Sequence, residues 1–433
     1  MRKTGHPVWC INHKFSNKIP RFMFKITRIP PKLKPFFEPT RKDFLFEHHS
    51  YFASLVLAIA VAVGRRNIAN LYRHIETGRH RNRFNNFLNV SHRYNLPQTL
   101  ADKAHELLNR LDPQPGEVVE FLLDDSKKQK RGKVMEGVGW IFDHVTGKSI
   151  RGHNYLQALI RFRGFLIPFG IKLYLKKDDA EALGHEFKKL TALACELIEA
   201  FSPPTGVKVR VLFDSFYLCR QVVKATRRKG FRFISTLKAN RNLYRGSRKL
   251  KSGTYKRGLF RRREKHKAQE IRNDKVVSYH FVDAGWLDLN GVGRVHVVYS
   301  KKGANDKILG IVTDDPELTA EEIIFGYANR FFIEQFFKDG KQLLGLGQYQ
   351  NLSYEAAVVH LHLVCFSYAL LTHSAIEGSS AKARIKRTAC QSIGRLQEDL
   401  RRLIFEDTLD SMEGAGDAQT VFKRLRSLLP RAA

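Results

Sequence analysis

Apolar residues recur at helical spacing between about Leu45 and Ala104, and Gly64 divides this stretch into two runs. Apolar positions three and four residues apart are typical of amphipathic helices. The second run is rich in basic residues and begins with Arg65 and Arg66. The pattern therefore predicts a small helical DNA-binding domain over residues 45–115 with a cationic face. The alternative is an ordinary helical bundle whose charges are solvated.

From Gly116 the pattern changes to short runs of β-branched and aromatic residues, which are typical of strands. These runs predict strands at residues 118–125, 134–145, 164–175, 207–213 and 231–237. Amphipathic helices are predicted at residues 183–201 and 217–229. The predicted order is three strands, helix, strand, helix, strand. We expect an α/β fold with a mixed sheet, and this order resembles the RNase H-like fold.

A long segment separates the fifth strand from the next helical pattern. Residues 239–316 hold a basic tract at about 241–267 and two strand-like stretches, which predict a β-rich insertion. The helical pattern resumes at Ala320, after Thr319 as a predicted N-cap, and we expect one helix running to about Lys341. The interpretation is a catalytic-type domain over residues 116–345 and a helical C-terminal region over residues 346–433. Residues 1–44 are basic and proline-dotted, and we expect a poorly ordered arm.

The charge balance indicates a polyanionic partner. Lys and Arg number 75 against 42 Asp and Glu, a formal net charge of +33, while 43% hydrophobic residues indicate a globular protein. Such a surplus favours a protein that binds nucleic acid over a generally adhesive basic protein.

The five cysteines include no CxxC pair, so neither a disulfide framework nor a zinc finger is predicted. The apolar stretch at residues 55–63 is too short to cross a bilayer, so we expect a cytoplasmic, nucleoid-associated protein with no membrane contact.

Four acidic residues stand where a shared site would need them. Asp124 and Asp125 end the first predicted strand, Asp214 ends the fourth, and Glu334 lies in the late helix. Each has an ordinary alternative, since acids often begin turns or lie on solvated helix faces. Carboxylates crowded into one place repel each other unless cations bind there. Oxygen ligands suit Mg²⁺ or Mn²⁺, and two such ions can clamp a phosphoryl transfer.

The late helix carries a second pattern. Tyr327, Arg330, Glu334 and Lys341 fall within about 60° of one another on an ideal helix. An acid flanked by two cations and a phenol can hold phosphates beside a metal-bound bond. The alternative is a simple i,i+4 Arg–Glu pair that stabilises the helix, but it leaves Tyr327 and Lys341 unexplained.

The spacing YxxRxxxExxxxxxK resembles the signature helix of a large class of prokaryotic insertion-sequence DDE transposases. In that family the first aspartate usually precedes Ser or Thr, which indicates Asp125, with Asp124 as the alternative. The second is similar to Asp214 in VLFDSFY, and the third acid is Glu334. The family also carries a β-rich insertion between its second and third acids. In some members a tryptophan of the insertion stacks on a flipped base; Trp286 lies in the corresponding region, although a core role is also open.

The resemblance implies an enzyme that binds the terminal inverted repeats of a mobile element on double-stranded DNA. It further implies cleavage and strand transfer with two Mg²⁺ or Mn²⁺ ions held by Asp125, Asp214 and Glu334, and a homodimer on paired ends. The alternatives are a decayed or domesticated DNA-binding protein and an RNase H-like nuclease without strand transfer. The residues expected to contact DNA are Tyr327, Arg330, Lys341, Arg65, Arg66, Lys238, Arg241 and Trp286.

Overall fold

A twelve-stranded mixed sheet forms the centre of the protein. The computed structural model describes residues 25–132, 134–143, 147–272, 275–303, 306–379, 392–412 and 418–428. The strands in chain order are β1 Val118–Gln129, β2 Gly139–Asp143, β3 Lys148–Phe162, β4 Phe165–Tyr174, β5 Lys208–Phe213, β6 Arg232–Leu237, β7 Asn242–Arg245, β8 Arg248–Lys251, β9 His266–Arg272, β10 Lys275–Leu289, β11 Gly293–Lys301 and β12 Leu309–Thr313.

The spatial order of the strands is β2-β3-β1-β5-β6-β12-β11-β10-β7-β8, with β4 paired to β3 and β9 paired to β10. The pairs β1–β5 and β5–β6 are parallel, and the other pairs are antiparallel. An antiparallel β4-β3-β1 meander followed by parallel β5 and β6 is consistent with an RNase H-like fold, so the predicted fold class is confirmed. The β-rich segment does not form a separate sheet, because β12 pairs with β6 and extends the central one.

Helices cover the sheet and extend both ends of the chain. The described helices are α1 Lys34–Phe37, α2 Phe46–Val61, α3 Ile68–Arg73, α4 Arg81–Val90, α5 Leu96–Asn109, α6 Lys177–Ala182, α7 Leu190–Ala200, α8 Arg220–Arg228, α9 Ser252–Arg262, α10 Ala320–Ala328, α11 Phe331–Leu343, α12 Tyr354–Glu377, α13 Ile393–Asp410 and α14 Ala418–Ser427.

The second strand of the meander lies where no strand was predicted. β3 occupies residues 148–162, whereas the predicted strand at 134–145 is reduced to the short edge strand β2, and residues 144–146 lie outside the described part. β3 is buried on both faces from Gly152 to Ile160. A strand covered on both sides has no polar–apolar alternation, so its pattern cannot be distinguished from a buried helix.

Two predicted helices are interrupted. The helix expected over residues 183–201 begins only at Leu190, because Gly184 adopts a positive φ of 70° that ends the preceding turn after α6. The helix expected from Ala320 to Lys341 is divided into α10 and α11 at Asn329 and Arg330. Its predicted start is confirmed: Thr319 caps α10 through a complete capping box with Glu322.

The described part of the N-terminal arm is packed against the helical layer. Residues 1–24 lie outside the described residues, but Leu33, Phe36 and Phe37 are at most 2% exposed. The backbone of Ile26 also pairs with Ile75. The expectation of a poorly ordered arm therefore does not hold for residues 25–44, since aromatic burial there outweighs the disorder suggested by the prolines.

α12 is the central helix of the helical layer. It is the one helix among the described residues that is long and apolar enough to span a membrane, and 94% of its most apolar window is buried inside the protein. Core helices share this composition, so the feature is weak evidence for a membrane. Its Ser367 donates to the carbonyl of Val56 in α2 at 2.8 Å.

We predict that Phe52→Ala lowers the free energy of unfolding by about 3–5 kcal/mol, because it leaves a cavity between α2 and α12. Phe52 is fully buried, and its ring centroid lies 4.7 Å from that of Phe44 and 4.9 Å from that of Phe366. Urea unfolding measures the change. The matched control is Phe46→Ala in the same helix, where the residue is 73% exposed and the loss should stay below about 1 kcal/mol. Equal losses for the two variants would contradict the packing of α2 on α12.

Candidate active site

The first two acidic positions meet where two parallel strands separate. The last paired residues of β1 and β5 are Leu122 and Leu212. Asp124 and Asp214 each lie two residues further along, so they occupy corresponding positions on neighbouring strands. The Asp214 carboxylate accepts a hydrogen bond from the backbone of Phe216 at 2.9 Å, which turns the chain away from the sheet. The structure therefore brings these two positions together as predicted, although β1 continues to Gln129 instead of ending at the acids.

Asp124 and Asp125 point to opposite faces of the sheet, because side chains alternate along a strand. Asp124 accepts a hydrogen bond from Arg330 at the start of α11, at 2.7 Å. Asp125 instead accepts one from the buried hydroxyl of Tyr217 at 2.9 Å. The acid that shares a face with Glu334 is therefore Asp124, and the preference for Asp125 based on the following serine does not match this geometry.

Arg330 connects the first acid to the last. Its guanidinium donates to Asp124 and also to Glu334, four residues further along α11. Its Nε atom donates to the hydroxyl of Tyr327 at 3.0 Å. Burial opposes the charge, but Tyr327, Asp124 and Glu334 outweigh it and raise the pKa of Arg330. Tyr327, Arg330 and Glu334, three of the four residues predicted to share one helix face, therefore form one hydrogen-bonded group over β1.

The charge of Asp124 is strongly disfavoured by its surroundings. Burial raises the pKa of this carboxyl to about 7, Arg330 opposes the shift, and the nearby charges of Asp125 and Asp214 add to it. A carboxyl group that is buried beside two other acids is stabilised by a cation. Arg330 provides one positive charge there, and the acids retain oxygen atoms for another.

Lys341, the fourth residue predicted on that helix face, is bound to the same strand. Its ammonium group donates to the hydroxyl of Ser126 at 2.7 Å and to the carbonyl of Lys127 at 3.2 Å. Burial, followed by repulsion from Lys128, lowers the pKa of Lys341. The cation therefore lies beside β1, two residues beyond Asp124.

A buried ion pair holds the kink between α10 and α11. Glu120, 7% exposed, accepts hydrogen bonds from Arg161 on β3 and from Asn329 at the kink, the latter at 2.7 Å. Arg161 also lies over the ring of Phe332 at 4.4 Å. These contacts fix the first turn of α11 against β1 and β3, and they thereby position Arg330 and Glu334.

The donor set suits a hard divalent cation, but the acids are not gathered at coordination distance. Among the described residues, no three His, Cys, Asp or Glu side chains form a group that could hold a metal ion. The Glu334 side chain is 47% exposed and paired with Arg330. Carboxylates with free oxygens are the ligands that Mg²⁺ and Mn²⁺ prefer. Asp124, Asp214 and Glu334 therefore fit such ions by chemistry.

The other predicted DNA contacts have different environments. Arg65 is exposed, whereas Arg66 is 6% exposed and donates to the carbonyls of Ile59 and Gly64. Arg66 is thus held inside the protein, and its prediction as a DNA contact is withdrawn. Lys238 is exposed, 5.9 Å from the ring of Phe216. Arg241 donates to the carbonyls of Leu218 and Asn290 and so ties two loops together.

Trp286 belongs to the insertion and is partly exposed. It lies on β10 with 36% of its surface accessible, and its ring stacks on His296 with centroids 5.4 Å apart. His296 in turn contacts the carboxylate of Asp283 at 2.8 Å. The indole is therefore supported from one side by the sheet and is not a core residue.

Several residues of the site were not predicted from the sequence. Tyr217 donates to Asp125, and Ser126 accepts from Lys341. Glu120 and Asn329 bond to each other and hold the start of α11. Tyr217 and Ser126 could have been noticed because they lie within three residues of a candidate acid. Glu120 and Asn329 carry no sequence signal, since their contact joins positions 209 residues apart.

An RNase H-like sheet with acids where its central parallel strands separate defines a class of nucleic-acid-cutting enzymes. The chain belongs to the DDE superfamily endonuclease family, whose model matches residues 46–284. The matched range includes both aspartate positions and ends before α10 and α11, so it supports the family and not the Tyr-Arg-Glu-Lys set. No curated protein matches the chain.

We predict that Glu120→Ala destabilises the protein by about 1.5–3 kcal/mol, because Arg161 and Asn329 lose a charged hydrogen-bond partner in a buried place. Glu120→Gln retains an acceptor for Asn329 and should lose less. Thermal and urea unfolding measure both variants.

The control for the two Glu120 variants is Glu181→Ala. It removes an exposed i,i+4 ion pair with Lys177 and should lower the free energy of unfolding by under about 0.5 kcal/mol. A Glu120→Ala variant as stable as this control would show that the contact does not hold the kink.

Proposed function

We propose that the protein is a DNA transposase that binds the terminal inverted repeats of an insertion sequence and catalyses metal-dependent strand cleavage and strand transfer. The main support is the position of Arg330, which bonds Asp124 and Glu334 together over the parallel β1–β5 pair. Membership of an endonuclease family supports DNA cleavage. The expected setting is the cytoplasm, with a homodimer assembled on paired DNA ends.

In this proposal Asp124, Asp214 and Glu334 hold two Mg²⁺ or Mn²⁺ ions. Bound there, the ions would supply Lewis acidity that activates water for cleavage and the freed 3′-hydroxyl for strand transfer, and would stabilise charge on the scissile phosphate. Asp124 replaces Asp125 as the first ligand because it shares a face with α11. Asp125 is then a neighbouring charge held by Tyr217.

The signature residues act on the DNA backbone. Tyr327 fixes the plane of the Arg330 guanidinium, which offers a planar fork to phosphate oxygens. Lys341 supplies a point charge from beside Ser126. Arg65, Lys238 and Arg241 would contact the duplex outside the site, and Trp286 would contact a base. No protein residue forms a covalent intermediate, so the chain contributes positioning and electrostatic stabilisation.

We predict that Asp124→Asn, Asp214→Asn and Glu334→Gln each lower metal-dependent cleavage at least about 100-fold, since each removes a ligand that stabilises the transition state. Binding to the same DNA should remain within about threefold, because phosphate contacts supply most of the affinity. Cleavage of labelled duplex in Mg²⁺ and a gel-shift assay in Ca²⁺ measure the two properties. Glu321→Gln on α10, an exposed acid outside the site, is the control and should cleave normally.

Asp125→Asn separates the two candidate first ligands. We expect it to retain more activity than Asp124→Asn, because it lies on the face away from α11. A wild-type rate for Asp124→Asn together with loss in Asp125→Asn would return the role to Asp125. Retained cleavage in all three variants of the preceding test would mean that the active site lies elsewhere.

Strand transfer is tested with a precleaved duplex that carries a free 3′-hydroxyl. We expect wild-type protein to join this end to a plasmid in Mg²⁺, and the Asp214→Asn variant to fail. Cleavage without joining would favour a nuclease without strand transfer. DNA binding without cleavage would favour a decayed or domesticated binding protein.

A further inference from the structure

An open basic cleft lies between the β7–β8 hairpin and α9. It has a volume of about 830 Å³, and none of the described residues that line it is acidic. Its floor includes Leu250, Tyr255 and Leu259. We call it the α9 cleft. Eight exposed cations line it. Arg245 and Arg263 donate to protein groups. The other six are Arg248, Lys249, Lys251, Arg257, Arg261 and Arg262.

These six cations have no ion-pair partner within the described part of the chain. Arg257 and Arg261 stand four residues apart on α9, where like charges destabilise a helix by a few tenths of a kcal/mol. The three cations of the hairpin face the same cleft and add to the repulsion. A cluster of this kind weakens the folded state unless a polyanion binds there.

The form of the cleft suits an extended backbone better than a small anion. α9 has 11 residues and is therefore about 16 Å long, which matches about five phosphate steps along one DNA strand. Gly258 lies on the wall of the cleft, and apart from its chain neighbours and the backbone of its own helix, no atom of the described residues stands within 4 Å of the place its Cβ would take. Packing therefore does not require glycine there, and its absence of a side chain lets another backbone approach closely.

The α9 cleft is separate from the acids but connected to them. Six strand spacings of about 4.8 Å lie between β5 and β8, which corresponds to about 29 Å across the sheet. Arg241 joins the two regions: its side chain donates to Leu218 in the loop after Asp214, and its carbonyl accepts from Ser252 at the start of α9.

We propose that the α9 cleft binds the sugar–phosphate backbone of duplex DNA as a second contact region, distinct from the metal-binding acids. The inference rests on the proposed function in one respect only, which is that DNA is the polyanion. The cleft supplies affinity and not chemistry, since it contains cations and lacks acids among its described lining.

The test uses a fourfold variant that removes charge and keeps side-chain length. Its substitutions are Arg248→Gln, Lys249→Gln, Arg257→Gln and Arg261→Gln. The matched control removes four exposed cations near the opposite end of the sheet: Lys148→Gln, Lys176→Gln, Lys177→Gln and Lys189→Gln. Binding to a random-sequence duplex of about 40 base pairs is measured across a salt series, because such a duplex spans both regions at about 3.4 Å per step.

We expect the cleft variant to bind at least about tenfold more weakly and its salt slope to fall by roughly three to four, since each lost phosphate contact lowers the slope by about 0.9. The control should change the slope by less than about one. Thermal unfolding should show that the cleft variant is as stable as wild type or more stable, because the repulsion is relieved.

Mn²⁺ titration separates this inference from the proposed function. The cleft variant should bind Mn²⁺ as wild type does, whereas Asp214→Asn should not. Failure of the wild type to bind Mn²⁺ would refute the proposed metal site and leave the cleft result standing. Two results would overturn the cleft proposal. One is a salt slope of the cleft variant equal to that of the control variant. The other is weakened binding of single-stranded RNA with duplex binding unchanged.

Discussion

The crowding of carboxylates at the end of the β1–β5 pair is the constraint around which the site is arranged. Asp124 is only 18% exposed, and the charges of Asp125 and Asp214 raise its pKa further. The fold places these acids together by strand register alone, at the cost of repulsion in a poorly solvated place. Arg330 offsets part of that cost, and because it also bonds Glu334 it ties the late helix to the sheet. The charge balance of the acids and the position of Glu334 therefore depend on the same guanidinium.

The late helix is divided into α10 and α11, and the two parts pack on different strands. A straight helix from Ala320 to Lys341 would place Tyr327 and Lys341 on the same face of a single helix axis. The kink at Asn329 lets α10 pack on β6 and β12 while α11 lies against β1. Asn329 is held by Glu120, and Lys341 by Ser126, on the same face of β1 that carries Asp124. One strand face thus positions both ends of the helix that bears Glu334.

The sequence predicted the parts of this arrangement that local pattern determines. The βα units, the Thr319 cap and the spacing of the signature residues all depend on neighbours within a few positions. It failed where burial on both faces removed the alternation, as in β3. It also favoured Asp125 over Asp124 from the following serine, because the sequence does not show which face of β1 the helix covers. The pairing of Glu120 with Asn329 is a property of the folded chain alone.

The cations of the protein divide into two groups with different physical roles. Arg330, Lys341 and Arg66 are all bonded to protein groups, so they fix geometry. A cation with a protein partner releases few counterions when DNA binds, because its charge is already compensated or desolvated. The cations of the α9 cleft are exposed and unpaired within the described chain, so they release more. The basic residues behind the net charge of +33 therefore do not contribute equally to counterion release. Under the proposed function, the salt dependence of DNA binding arises mainly from the α9 cleft, and Arg330 and Lys341 fix the geometry of the reacting phosphate.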